Sequence, residues 1–211
     1  MIEINDLSLI IKNNKILDNI DITFKPGLIY GIVGPNGSGK SSLFKIITSL
    51  YTRYSGTINI DGSIASIIEE ACLYDYLSGY NNLCVVCDLL NIDKKRINKM
   101  IELFSMEKYI YKKFKTYSLG MKQRLYLATA FIMESDIIIL DEPTNGLDPI
   151  GIIELKKYVK SLNKTVLYST HSILDINNFC DRVVFLKEGK LMLNTVNKND
   201  IESVFRKVYN I

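Results

Sequence analysis

Residues 31–44 read GIVGPNGSGKSSLF, and the positions Gly34, Gly39, Lys40 and Ser41 satisfy the spacing G-x-x-x-x-G-K-S/T. With side chains nearly absent at Gly34, Gly37 and Gly39, successive backbone N–H groups can curl around phosphate oxygens. Pro35, Asn36 and Ser38 fill the intervening positions of the loop. A helix that starts directly after the loop adds its positive end. On this reading Lys40 reaches the β- and γ-phosphates of ATP, the Ser41 hydroxyl turns to Mg²⁺, and Ser42 lies alongside.

A second group of candidates follows the apolar run Ile137 to Leu140, which ends in Asp141 and Glu142. Asp141 would hold the Mg²⁺ shell, through water or the loop serine, and Glu142 would polarise a water in line with the γ-phosphate. A positioned base of that kind is worth about 10² to 10⁴ in rate. The plainer alternative is two acids capping a turn before Pro143. His171, the only histidine, follows the apolar run TVLYST. If the strands run parallel it emerges on the same edge as Asp141 and Glu142, where an imidazole can bond a γ-phosphate oxygen.

These groups need particular elements to carry them. LIYGIV (28–33) reads as a buried strand entering the loop, and Leu43, Ile46, Ile47 and Leu50 fall at helical spacing after it. Upstream, IEINDLSLI and ILDNIDITF predict paired strands, and YSGTINIDG (54–62) a further strand between glycine turns. A mainly helical stretch is expected from about 80 to 132, then a strand at 137–140, the helix IGIIELKKYVKSL, the strand TVLYST, a short helix, and a hairpin RVVFLKEGKLML turning at Gly189. Strands separated by helices around one phosphate loop imply an α/β fold with a mostly parallel sheet and an inserted helical subdomain.

Composition narrows the setting. The 211 residues, 47% apolar and 23% charged, fit one globular domain, and no apolar run approaches the roughly 18 residues of a membrane span. The N-terminus has no secretory leader pattern, so a cytoplasmic location is expected. A net charge of +3, without a finger spacing or a glycine-aromatic RNA motif, argues against nucleic acid as a partner. Cysteines stand at 72, 84, 87 and 180. Cys84 and Cys87 read as buried thiols one helical turn apart, because zinc would need a second pair. Between Asn91 and Arg124 ten Lys/Arg face three Asp/Glu, either a solvated helical face or a surface for acidic protein or lipid headgroups.

Taken together, the motifs resemble those of the nucleotide-binding subunit of an ATP-binding cassette (ABC) transporter, over residues 3 to about 195. GPNGSGKSS resembles the Walker A loop, IIILDEP the Walker B strand, NGLDP the D-loop around Asp148, and STH the switch-histidine loop. YSLGMKQRL (117–125) resembles the signature centred on L-S-G-G-Q, with Ser118, Leu119, Gly120 and Met121 at its tip. The resemblance implies a P-loop NTPase in a single domain over 1–211, with an N-terminal antiparallel β-subdomain and a helical subdomain at about 72–132. It implies that ATP, bound with Mg²⁺, is sandwiched in a head-to-tail dimer, a homodimer or a heterodimer with another such subunit. There the residues 118–121 meet the γ-phosphate bound by the other subunit. A separate transmembrane permease chain would be driven by closure, with the subunit peripheral on the inner face of the cell membrane.

Some positions depart from the family pattern. The aromatic that stacks on adenine falls at Ile11, Leu119 and Met121 replace a glycine and the glutamine of the signature, and the Q-loop glutamine appears as Glu69, which would be a further Mg²⁺ ligand. Glutamate there, with LYDYLSGYNNL, resembles the cassettes that export or give immunity to lantibiotics and bacitracin-like peptides. The alternative is a single-cassette ATPase acting with soluble partners, of the iron-sulfur assembly type. A small-molecule kinase fits less well, since arginine is scarce.

Overall fold

A computed structural model describes residues 1–68, 72–197 and 201–210. Three strands, β1 (Ile2–Ile11), β2 (Asn14–Phe24) and β4 (Ser55–Ile60), form an antiparallel sheet in the order β2-β1-β4. The larger sheet contains β3 (Ile29–Val33), β5 (Ile64–Ile67), β6 (Ile137–Leu140), β7 (Thr165–Thr170), β8 (Arg182–Lys187) and β9 (Lys190–Val196), in the order β5-β6-β7-β3-β8-β9. All its neighbours are parallel except the β8-β9 hairpin.

The central strands are apolar on both faces, as a covered parallel sheet requires. Their alternate residues divide between two cores. Tyr30, Ile32, Ile137, Ile139, Leu167, Val184 and Leu186 meet the small sheet across the helix α1 (Lys40–Ile47), which contributes Leu43, Phe44 and Ile47. Ile29, Val33, Ile138, Leu140, Val166, Tyr168, Val183 and Phe185 face the other helices. Those are α2 (Gly79–Leu90), α3 (Lys95–Leu103), α4 (Leu119–Phe131), α5 (Pro149–Ser161), the short α6 (Ile173–Ile176) and α7 (Ile201–Tyr209). Helices α2 to α4 all lie in the chain between β5 and β6, which pair directly.

Register fixes what sits at the carboxyl edge. Val33 lies opposite Thr170, and Leu140 opposite Tyr168. The segments beginning at Gly34, Asp141 and His171 therefore leave the sheet side by side, where ligands of open α/β sheets bind.

Three features differ from the sequence reading. Ile64–Ile67 is an edge strand that the sequence pattern does not predict, since Ile-Ala-Ser-Ile offers neither a continuous apolar run nor strict alternation. The last helix, α7, is likewise not among the predicted elements. Cys87 is buried, whereas Cys84 is only half-buried on the same helix, and both are free thiols. Glu69, the expected Q-loop position, lies outside the described residues.

Candidate functional site

The loop after β3 is built by close approach. A Cβ at Gly34 would stand 2.4 Å from both the Leu186 carbonyl oxygen and Ser38 Oγ, so no other residue fits. Gly39 is the N-cap of α1 with φ 105° and offers no side-chain acceptor, which leaves the first-turn N–H groups facing outward. The Ser38 hydroxyl is buried and has no hydrogen-bond partner among the described residues. Above the loop opens a cavity of about 430 Å³ lined by Asn36 to Ser42, with Ile16 on one side and Glu142 on another. Bare amides, an unpartnered hydroxyl and a cavity of this size suit a polyphosphate.

Lys40 is only 5% exposed. Its ammonium donates to the carbonyls of Gly34 (2.7 Å) and Pro35 (3.1 Å), and lies 3.9 Å from Glu142 Oε1. Burial lowers its pKa, with Glu142 and Asp141 pulling the other way. A buried cation held by two neutral carbonyls and a distant carboxylate is under-neutralised, a state that favours an anionic ligand.

At the end of β6 the two acids are held apart by one hydroxyl. Ser169 Oγ, fully buried in β7, donates to Asp141 Oδ1 and accepts from the Glu142 N–H at 2.8 Å. Glu142 takes φ 45°, a strained value for a non-glycine residue. Its Oε2 accepts from Asn145 Nδ2 at 2.9 Å, and its Oε1 lies 3.4 Å from His171 Nδ1. Burial opposes ionisation of Glu142, but hydrogen bonds from Asn145 and His171, with the charge of Lys40, outweigh it and hold the carboxyl below its ordinary pKa. One carboxylate thus stands 3.9 Å from the Lys40 ammonium and 3.4 Å from the His171 imidazole, and can accept a hydrogen bond from water.

The tip of α4 is arranged differently. Ser118 caps the helix through a long bond from the Met121 N–H (3.4 Å), and Leu119 is 66% exposed. One turn further in, the helix is clamped to the 143–148 turn. Buried Gln123 donates to the Pro143 carbonyl (2.9 Å), and a Cβ at Gly120 would stand 2.6 Å from the Gly146 carbonyl oxygen. Arg124 donates to the Phe104 carbonyl (2.9 Å) and to Asp148 Oδ1 (2.8 Å), and reaches Glu154 at 3.7 Å. Asp148 also caps α5 by accepting from the Gly151 N–H; that bond and Arg124 together lower its pKa.

The structure therefore gathers Lys40, Ser41, Glu142 and the rest of the loop around one cavity, with His171 joined to it through Glu142. Among the described residues that line this cavity, none comes from 118–121. Ile11 lines a separate hollow with Leu9, Leu50 and Tyr51, while Ile16 borders the phosphate loop. Sequence reasoning missed Ser169, Asn145 and Arg124, since a hydroxyl inside a strand or an arginine inside a helix carries no signal until its neighbours are known.

Comparison with known proteins places these motifs in context. The family described as ABC transporter matches residues 17–145. A lantibiotic transport ATP-binding protein of Streptococcus pyogenes is 37% identical over 205 residues, 92% of this chain and 90% of the relative. A bacitracin transport ATP-binding protein of Bacillus licheniformis is 35% identical over 91% of this chain and 68% of its own. A solved structure described as an ATP-binding subunit of an ABC transporter superposes with TM-score 0.89 at 25% identity, covering 100% of this chain and 98% of that one.

Proposed function

The chain belongs to the ABC transporter family, and on this footing we propose that it binds and hydrolyses ATP to drive a separate permease that moves a peptide antibiotic across the membrane. The observation that carries the reading is the Glu142 carboxylate, 3.9 Å from Lys40 and 3.4 Å from His171 at the rim of the cavity. The loop amides of 34–42 take the triphosphate, and the Lys40 ammonium exchanges its two loop carbonyls for β- and γ-phosphate oxygens. Glu142 accepts a hydrogen bond from a water in line with the γ-phosphate. As the water oxygen bonds to phosphorus, the bond to the β-phosphate oxygen breaks and the water proton passes toward the carboxylate. His171 bonds a γ-phosphate oxygen, and Ser169 and Asn145 hold Glu142 in place.

Ser41 and Asp141 offer hard oxygens for Mg²⁺. Among the described residues no three His, Cys, Asp or Glu side chains gather into an all-protein cage, which suits a cation bound largely by water and phosphate. When present it neutralises charge on the β- and γ-oxygens.

The exposed, long-capped tip at Ser118 to Met121 supports a role completed by a second subunit, on whose γ-phosphate the helix end closes. No helix among the described residues is long and apolar enough to cross a membrane. Tyr74, Tyr76, Leu89 and Tyr111 are exposed on the helical region and would offer a permease chain apolar contacts, with this subunit peripheral on the inner face of the membrane. The lantibiotic and bacitracin proteins among its relatives support a peptide antibiotic as cargo; nothing favours the soluble-partner alternative.

The test is expression of the untagged chain with its neighbouring genes, followed by membrane fractionation and an ATPase assay. Recovery with a polytopic membrane protein, and turnover that rises with added lantibiotic or bacitracin, is expected. Recovery with soluble proteins alone would remove the transport assignment.

A further inference from the structure

The last helix reaches the root of the phosphate loop. In α7 the residues Ile201, Val204, Phe205, Val208 and Tyr209 recur at intervals of three and four, one apolar face that packs against the core. The Phe205 and Tyr209 rings lie 4.6 Å apart and sit 6.4 and 6.3 Å from Phe185 in β8. This brings the Tyr209 hydroxyl to 3.1 Å from the Val33 carbonyl oxygen and 2.9 Å from that of Leu186.

Both acceptors are particular. Val33 ends β3 and pairs with Phe185 in the last rung of the β3-β8 ladder. Leu186 presents the carbonyl that leaves no room for a side chain at Gly34. A single phenol thus spans two strands where β3 stops being sheet and becomes loop. The next carbonyl along the chain, that of Gly34, accepts from Lys40. Consecutive carbonyls at 33 and 34 are therefore held by Tyr209 on one side and by the phosphate-binding lysine on the other. Gly34 packs against backbone and Ser38, so a shift of a few tenths of an ångström at Val33 has no slack to absorb it.

We propose that Tyr209 is a positioning residue for nucleotide binding: its hydroxyl, sharing its one proton between the Val33 and Leu186 carbonyls, ties the two strands together, so that docking of α7 sets the course of the loop from Gly34 to Lys40. The inference rests on the reading that this loop holds the triphosphate. It assigns a task in the ATP site to a segment beyond the motifs that identify the family. Coupling of this kind is reciprocal, so a bound triphosphate steadies α7 as much as α7 steadies the loop.

The experiment uses the full chain with Tyr209→Phe, which keeps both ring contacts and deletes only the hydroxyl. Steady-state ATPase kinetics, ATP affinity by fluorescence titration, thermal midpoint and hydrogen exchange of 201–209 with and without ATP are compared with wild type. Loss of one neutral hydrogen bond predicts that Kd and KM rise about fivefold, with kcat at saturating ATP and the thermal midpoint close to wild type. The protection that ATP confers on α7 should disappear. Unchanged Kd and KM, with or without a lower midpoint, would overturn the proposal and leave Tyr209 a packing residue. Lys40→Ala run in parallel separates the two layers: retained ATP binding there means the loop reading has failed. Lost binding there with normal affinity in Tyr209→Phe means that only the role of Tyr209 has failed.

Discussion

On the proposed function the cavity around Lys40 and the tip of α4 both meet an anion, yet they are finished to different degrees. At the cavity the charged side chains already have partners in their own chain: Lys40 on two carbonyls, Asp141 on Ser169, Glu142 on Asn145. At the α4 tip the cap is stretched and Leu119 stands in solvent, although one turn deeper Gln123 and Arg124 anchor the helix firmly. The first is preorganised before any ligand arrives. The second is an anchored helix with an exposed end, as the proposed closure by a second chain requires. The 143–148 turn joins them, since it follows Glu142 directly and receives the anchors of α4.

The contrast breaks most visibly at Glu142. Glu142→Gln keeps a hydrogen-bonding side chain but removes the charge, so turnover should fall by about 10² to 10⁴. ATP should still bind, and ATP-loaded dimers should accumulate in size-exclusion chromatography. Normal hydrolysis in this variant would strip Glu142 of its role. Lys40→Ala comes next and acts on the other quantity: ATP affinity in a binding titration should drop by roughly a hundredfold, because a buried charged donor is removed from the phosphates. The stalk gives a smaller effect. Arg124→Ala frees Asp148 and the Phe104 carbonyl, and dimer-dependent turnover should fall roughly tenfold while ATP affinity of the monomer stays put. A variant that instead lost ATP affinity would show the two regions to be one site within a single chain.

The same contrast governs what could be read without coordinates. The loop, the tandem acids and His171 are legible because each follows a predominantly apolar run, and parallel register carries the ends of such strands to one edge. What stayed hidden depends on neighbours distant in sequence. Ser169 matters only because β6 lies beside β7, Arg124 only because α4 meets the 143–148 turn, and Tyr209 only because α7 folds back 176 positions to Val33. Edge strand β5, as short as β6, lacks its continuous apolar run, and the half-burial of Cys84 is not legible because helical spacing alone does not say how wide the covered face is.

Leu119 offers the finest test, because its sign is informative. Its side chain lies over Gly146 of the same chain, where a Cβ would approach Leu119 Cγ at 2.8 Å, and most of the rest is exposed at the first position of α4. A leucine there crowds the space through which an anion would reach the helix amides. Glycine at a first helical position forfeits less than in the interior, so Leu119→Gly should cost no more than about 1 kcal/mol of stability. Turnover at limiting ATP should rise a few-fold, with the larger gain at dilute enzyme, where closure of two chains limits the rate. If turnover falls instead, Leu119 earns its exposure as an apolar contact between subunits, and the α4 tip is finished by hydrophobic packing rather than by the phosphate.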